Sequence, residues 1–152
     1  MTKLSCSLLL WAPVMAFSVC AHASETKVPC STLPAVVMAQ GTKMLDGGTI
    51  KSCVKDTSAG KVTYELETLK DGRSKDISLD AKGNVLEVEE QVDQASLPAP
   101  VVAAIQKAAH GGTVGKVESL TRGGALVSYE TTITLNGKRH EVTFRPDGSA
   151  TK

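Results

Sequence analysis

Aromatic residues are nearly absent from this 152-residue chain, which holds one Trp, two Tyr and two Phe. Trp11 and Phe17 fall in an N-terminal stretch with the character of a leader, so the body keeps only Tyr64, Tyr129 and Phe144. So few rings argue against a stacking platform for bases or sugars, and no strong basic patch compensates, so nucleic-acid binding is disfavoured. Cysteine and histidine are also scarce: beyond the leader there are Cys30, Cys53, His110 and His140. These four are scattered, whereas ligands of structural zinc sites are closely spaced in pairs, so no metal site is expected. Neither a nucleophile-elbow motif nor a phosphate loop occurs, and no catalytic residue is expected. After the leader, no apolar run reaches the roughly 20 residues of a membrane-spanning helix.

The leader itself is explicit. Lys3 gives a positive start, Leu8 to Val19 form an apolar run, and Ala21-His22-Ala23 fits the small-x-small cleavage pattern. Residues 1–23 are therefore expected to be a signal peptide cut before Ser24, and the product to be periplasmic or secreted, without stable membrane insertion. A lipoprotein would use Cys20, but Val19 stands where such signals place a small residue. An oxidising compartment with one remaining cysteine pair favours a Cys30–Cys53 disulfide over two half-buried thiols. Closing such a loop stabilises by about 3 kcal/mol in the chain-entropy picture.

What is present is a repetition. Leu33-Pro34-Ala35, Gly47-Gly48-Thr49 and Tyr64-Glu65 return as Leu97-Pro98-Ala99, Gly111-Gly112-Thr113 and Tyr129-Glu130. Repetition on this scale points to a duplicated small domain, with residues 24–93 as the first module and 94–152 as the second. The first carries 9 basic and 12 acidic residues, the second 7 and 4. That asymmetry can steer the two together or steer a partner, or be ordinary scatter over small domains.

Pro34 and Pro98 at first-turn positions predict helices over 34–45 and 98–109, stopped by Gly47-Gly48 and Gly111-Gly112. Strands are predicted over 49–55, 62–67, around Ile77 and Leu79, and over 85–89. A second set covers 113–120, Val127 to Leu135, and Val142 to Phe144. Asn136-Gly137 is the strongest hairpin signal, because both turn positions need positive φ. The polar residues 90–96 read as a link between modules. The expected class is α+β: two tandem modules, each one helix packed on an antiparallel meander of three to four strands.

Two surfaces invite a functional reading. Glu65 and Glu67 share the polar side of one strand, Glu87 and Glu89 that of another; paired acids can hydrolyse glycosides, but a solvated sheet side without aromatic platform reads as a charged outer face. His110 at a helix end suits the helix dipole. Near 138–144 the second sheet has no fourth strand to cover it, which opens an edge for strand addition. Lys138, Arg139, His140 and Arg145 there are either the contacts of a partner or the charges that keep an edge unpaired.

The second half, Gly112-Thr113, Lys116-Val117-Glu118, Tyr129-Glu130, Gly137-Lys138, Glu141 to Phe144 and Pro146-Asp147-Gly148, resembles PepSY domains. The first half resembles them through Tyr64-Glu65-Leu66, Asp71-Gly72 and Asp80-Ala81-Lys82-Gly83. Leu-Pro ahead of each helix resembles the PepSY-like subgroup described as beta-lactamase-inhibitor-like. The resemblance implies two copies of a secreted or envelope module that binds or inhibits other proteins, such as peptidases, with no catalytic residues and no cofactor. The expected function is thus a non-enzymatic extracytoplasmic binding protein, such as an inhibitor or regulator of another envelope protein; the alternative is a periplasmic sensor of a small ligand or metal.

Overall fold

The computed structural model describes residues 24–151, so the expected signal peptide over 1–23 lies outside the described residues. Along the chain come β1 (Ser24–Val28), α1 (Ala35–Lys43), β2 (Thr49–Ser58), β3 (Lys61–Lys70), β4 (Arg73–Asp80) and β5 (Val85–Val92). Then follow α2 (Ala99–Ala109), β6 (Thr113–Arg122), β7 (Ala125–Leu135) and β8 (Lys138–Phe144).

Both helices begin where the prolines place them. Pro34 and Pro98 are the capping residues, with φ of −54° and −57°, values the pyrrolidine ring already imposes. Helix α2 ends as His110 and then Gly111 turn left-handed, at φ 45° and 84°. Asn136 and Gly137 both adopt positive φ, 52° and 74°, and join β7 to β8 as a tight hairpin.

The expected pair of tandem modules, each a helix on its own meander of three to four strands, is not what forms. All eight strands make one antiparallel sheet in the order β1 to β8, carrying the two helices. The reason lies in residues 90–92, which do not link modules but extend β5. Val88 to Val92 pair with Thr121 to Val117 of β6, and the seam between the halves becomes an ordinary sheet ladder. Val92 packs with the apolar residues under α2, while Val88 packs with those under α1, so one strand serves both.

The apolar faces all point the same way. Under α1, Val37 meets Cys53, Leu66, Ile77 and Leu79; under α2, Val101 and Ile105 meet Val117 and Phe144. Gly41 lets α1 approach Leu66, because a Cβ there would run into the Leu66 side chain. Both helices therefore cover one side of the sheet, and neither covers the other side. Strand β1 has no apolar alternation to announce it; it pairs with β2, Val28 opposite Cys53. Cys30 is joined to Cys53 by a disulfide at a separation of 23 residues, which ties the exit of β1 to the sheet.

Replacing Cys30 and Cys53 by Ser is expected to cost about 3 kcal/mol of stability, the loop-closure value. Amide exchange over residues 24–28 should speed up most. Unchanged denaturant midpoints together with unchanged protection of β1 would refute this role.

Candidate functional site

A strand alternates its side chains between two faces, so the positions next to each core residue fall on the side without helices. On that open side stand Glu65 and Glu67 of β3, Asp76 of β4, Glu87 and Glu89 of β5, Glu118 of β6 and Glu130 of β7. Cross-strand register puts like charges side by side: Glu67 opposite Asp76, Asp76 opposite Glu89, and Glu118 opposite Glu130. Directly opposed like charges destabilise a sheet. The sequence already placed the β3 and β5 glutamates on outer faces. Asp76, Glu118 and Glu130 were missed; joining Glu118 and Glu130 to that set requires the β5–β6 ladder, whereas Asp76 joins it through its pairs with Glu67 and Glu89. Strand parity beside Ile77 and Val117 was the available signal.

Three cations answer part of this charge. Lys27 of β1 reaches Glu67 at 3.1 Å, Lys116 reaches Glu118 at 2.6 Å, and Arg122 pairs with Glu87. The Ser52 hydroxyl, then Lys27, hold Glu67 below its ordinary range. Ser74 adds a hydrogen bond to Glu118 at 2.9 Å and receives one from Lys116 at 3.0 Å.

Among the described residues, Glu65, Asp76, Glu89 and Glu130 have no such cation. Burial, then the charges of Asp76, Glu67, Glu25 and Glu87, push Glu65 up to about 7. Burial, then Glu130 and Glu87, push Glu89 up to about 8. Burial also raises Asp76, against a hydrogen bond donated by the Thr68 amide, and raises Glu130, where the Thr143 hydroxyl works in the opposite sense. At neutral pH this band therefore holds protons that ordinary surface carboxylates have lost.

Oxygens of Asp76, Glu89 and Glu118 lie within 4.8 Å of one another, the one set of three metal-ligand groups that close among the described residues. A hard divalent cation takes such oxygens. Glu118, however, is already engaged by Lys116 and Ser74. The scattered cysteine–histidine set does not assemble, since the two cysteines are bonded to each other.

The edge residues are split by the structure. Lys138, Arg139 and His140 are exposed together at the start of β8, the last strand of the sheet. Arg145 lies beyond its far end, hydrogen-bonded to the Ser149 hydroxyl and the Ala150 carbonyl. After Phe144 the chain folds back, and the Thr151 amide donates to the Thr143 carbonyl. Thr143 thus points its backbone outward, and by alternation so do Glu141 and Arg139. Beside this edge, a cleft of ≈ 430 Å³ opens between Ala108 of α2 and Val142 and Phe144 of β8.

No protein-family model and no curated protein matches the sequence. Solved structures do match the fold. A protein of Bacteroides eggerthii, described as periplasmic, superposes with a TM-score of 0.65 at 13% identity, over 79% of this chain and 86% of that one. A DUF2874 family protein of Bacteroides uniformis gives 0.60 at 17% identity, over 78% and 86%. A BLIP-like protein of Bacteroides fragilis gives 0.58 at 22% identity, over 82% and 85%. The fold is thus BLIP-like over most of the chain. The likeness is to the continuous sheet with its two helices and does not extend to PepSY domains specifically or to two separate copies. No helix of the described residues is long and apolar enough to cross a membrane.

The raised carboxylates set a pH dependence. Folded Glu65 and Glu89 bind protons more tightly than in the unfolded chain, where glutamate titrates near 4.5. Their contribution is present in full below that value and is lost as pH rises through about 7 and about 8. The melting midpoint is therefore expected to fall from pH ~5 to ~8.5, and to fall less in the Glu65→Gln/Glu89→Gln variant. A midpoint that rises over this range in the native protein would contradict the assignment.

Proposed function

We propose that the protein is a periplasmic or secreted, non-enzymatic binding protein, an inhibitor or regulator that recognises another extracytoplasmic protein through the open face of its sheet. The observation that carries this reading is a helix-free sheet face with an acidic band spread over five consecutive strands, β3 to β7. At ~4.8 Å per strand the band is roughly 19 Å wide, too broad for one small ligand. The whole face measures roughly 34 by 26 Å, close to the ~800 Å² that each partner contributes to a standard protein interface. The names of the structural neighbours, periplasmic in one case and BLIP-like in another, support the same compartment and role.

A second reading places the partner at the β8 edge. The outward backbone groups of Arg139 and Glu141 favour it, with Lys138 and His140 as flanking contacts and Arg145 further along. The domain bounds 24–93 and 94–152 then remain a proposal about ancestry, not about separate bodies.

A photoreactive residue introduced at Ser78 on the open face, at Arg139 on the edge, or at Gln106 on α2 separates these in the native envelope. A discrete adduct to one protein is expected from Ser78, and is expected to be largely lost when Glu130→Lys is added. An adduct from Arg139 alone would transfer the function to the edge. Turnover of a substrate by the purified protein, abolished by one polar substitution, would overturn the binding role.

A further inference from the structure

The open face carries more information than its sign. Glu65, Glu89 and Glu130 stand on β3, β5 and β7, alternate strands of one sheet, and each lies two residues further along its strand than the one before, so they form a diagonal row with successive members roughly 12 Å apart. Among the described residues, the ion pairs formed on the face engage other carboxylates: Lys27 with Glu67, Arg122 with Glu87, Lys116 with Glu118. What surrounds the three is otherwise acidic or neutral. Glu65 faces Val54 and Ser78 across its two ladders, with Glu25 and Glu67 nearby. Glu89 faces Asp76 and Leu120, with Glu87 and Glu118 nearby; Glu130 faces Glu118 and Thr143, with Glu141 nearby.

We infer that this row receives an extended segment of the partner protein bearing lysine or arginine at about every fourth position, its cations seated over Glu65, Glu89 and Glu130. The inference rests on the open-face reading above and names the chemistry of the partner. An extended chain advances ~3.3 Å per residue and turns every second side chain to the same side, so side chains four apart share a side and recur at ~13 Å, near the spacing of the row. Charge complementarity supports the choice of occupant: each seated cation replaces a repulsion between neighbouring carboxylates by an attraction. The protons now held by Glu65 and Glu89 must leave when a cation arrives, so binding releases protons and strengthens as pH rises. A single metal ion at Asp76, Glu89 and Glu118 would use only part of the row and would compete with Lys116.

The test uses the mature full chain and a twelve-residue probe peptide of three Lys-Gly-Ser-Gly repeats, titrated calorimetrically at low salt in two buffers of different ionisation enthalpy. Binding is expected to release protons at pH ~7.5 and to tighten roughly ten-fold between pH ~6 and ~8.5. Glu65→Gln/Glu89→Gln is expected to abolish the proton release and weaken binding about five-fold or more. Asp46→Asn/Asp71→Asn, the same change of charge in turns with positive φ, is expected to leave both unchanged. Equal weakening by the two double variants would show non-specific attraction and overturn the proposal. So would calcium chloride alone binding with proton release while the peptide does not bind. If the peptide fails while Ser78 still crosslinks a partner, this inference is wrong and the open-face function stands; if Ser78 yields no adduct, the open-face function falls and this inference with it.

Discussion

Five register pairs, from Val88 opposite Thr121 to Val92 opposite Val117, convert what would be two small meanders into one sheet. Both layers of the molecule depend on this ladder. It aligns the apolar face of the second half with that of the first, so α1 and α2 lie side by side over a shared strand. It also brings Glu118 and Glu130 of one half beside Asp76 and Glu89 of the other. Halves of about 60 residues bury too little surface to be comfortably stable alone. Sharing β5 removes two exposed sheet edges at the centre, which are costly to leave unpaired.

The open face sets a cost against that gain. Three carboxylates in direct register, Glu67, Asp76 and Glu89, repel one another on a surface that also desolvates them. The sheet tolerates them because protons remain where cations are missing, and because Ser52, Ser74, Thr68 and Thr143 donate hydrogen bonds to their neighbours or to them directly. Perturbed groups concentrated on one surface mark functional regions more often than chance, though structural networks also produce them. Here the helix-covered side has no comparable group among the described residues, and the contrast between the two sides is the sharper sign.

Much of the local structure was legible in the residues. Pro34 and Pro98 announced the helix starts, Asn136-Gly137 its hairpin, and the alternation of Val62, Tyr64 and Leu66 the face that packs inward. The architecture was not legible, for a physical reason. Glu90 and Gln91 look like linker residues by composition, yet Gln91 falls on the solvated face, and Glu90, on the helix side between Val88 and Val92, is exposed there. Strand β1 was invisible for a related reason: Ser24 to Val28 offer no apolar alternation, and their order comes from pairing with β2 and from the Cys30–Cys53 tie. Pairing partners are a long-range property, and the acidic band, being made of residues far apart in sequence, shares that limitation. The repetition itself pulled the reading toward separate modules, since it records similarity and says nothing of contact.

The opposite net charges of the halves now acquire a location. Among the described residues, two cations of the more basic half form ion pairs on the open face, and both sit at the seam: Arg122 of β6 crosses to Glu87 of β5, and Lys116 joins Glu118 to Ser74 of β4. They neutralise the charge brought together by the ladder itself, which accounts for attraction between the halves. Lys138, Arg139 and Arg145 belong to β8 and the turn beyond it, form no ion pair with the band, and contribute nothing to that neutralisation at the seam. What the halves do for each other therefore ends at Glu87 and Glu118. The charge on Glu65, Asp76, Glu89 and Glu130 is left over after every internal pairing on that face has been made, and a surplus of this kind on a broad, helix-free surface is a property addressed to another molecule.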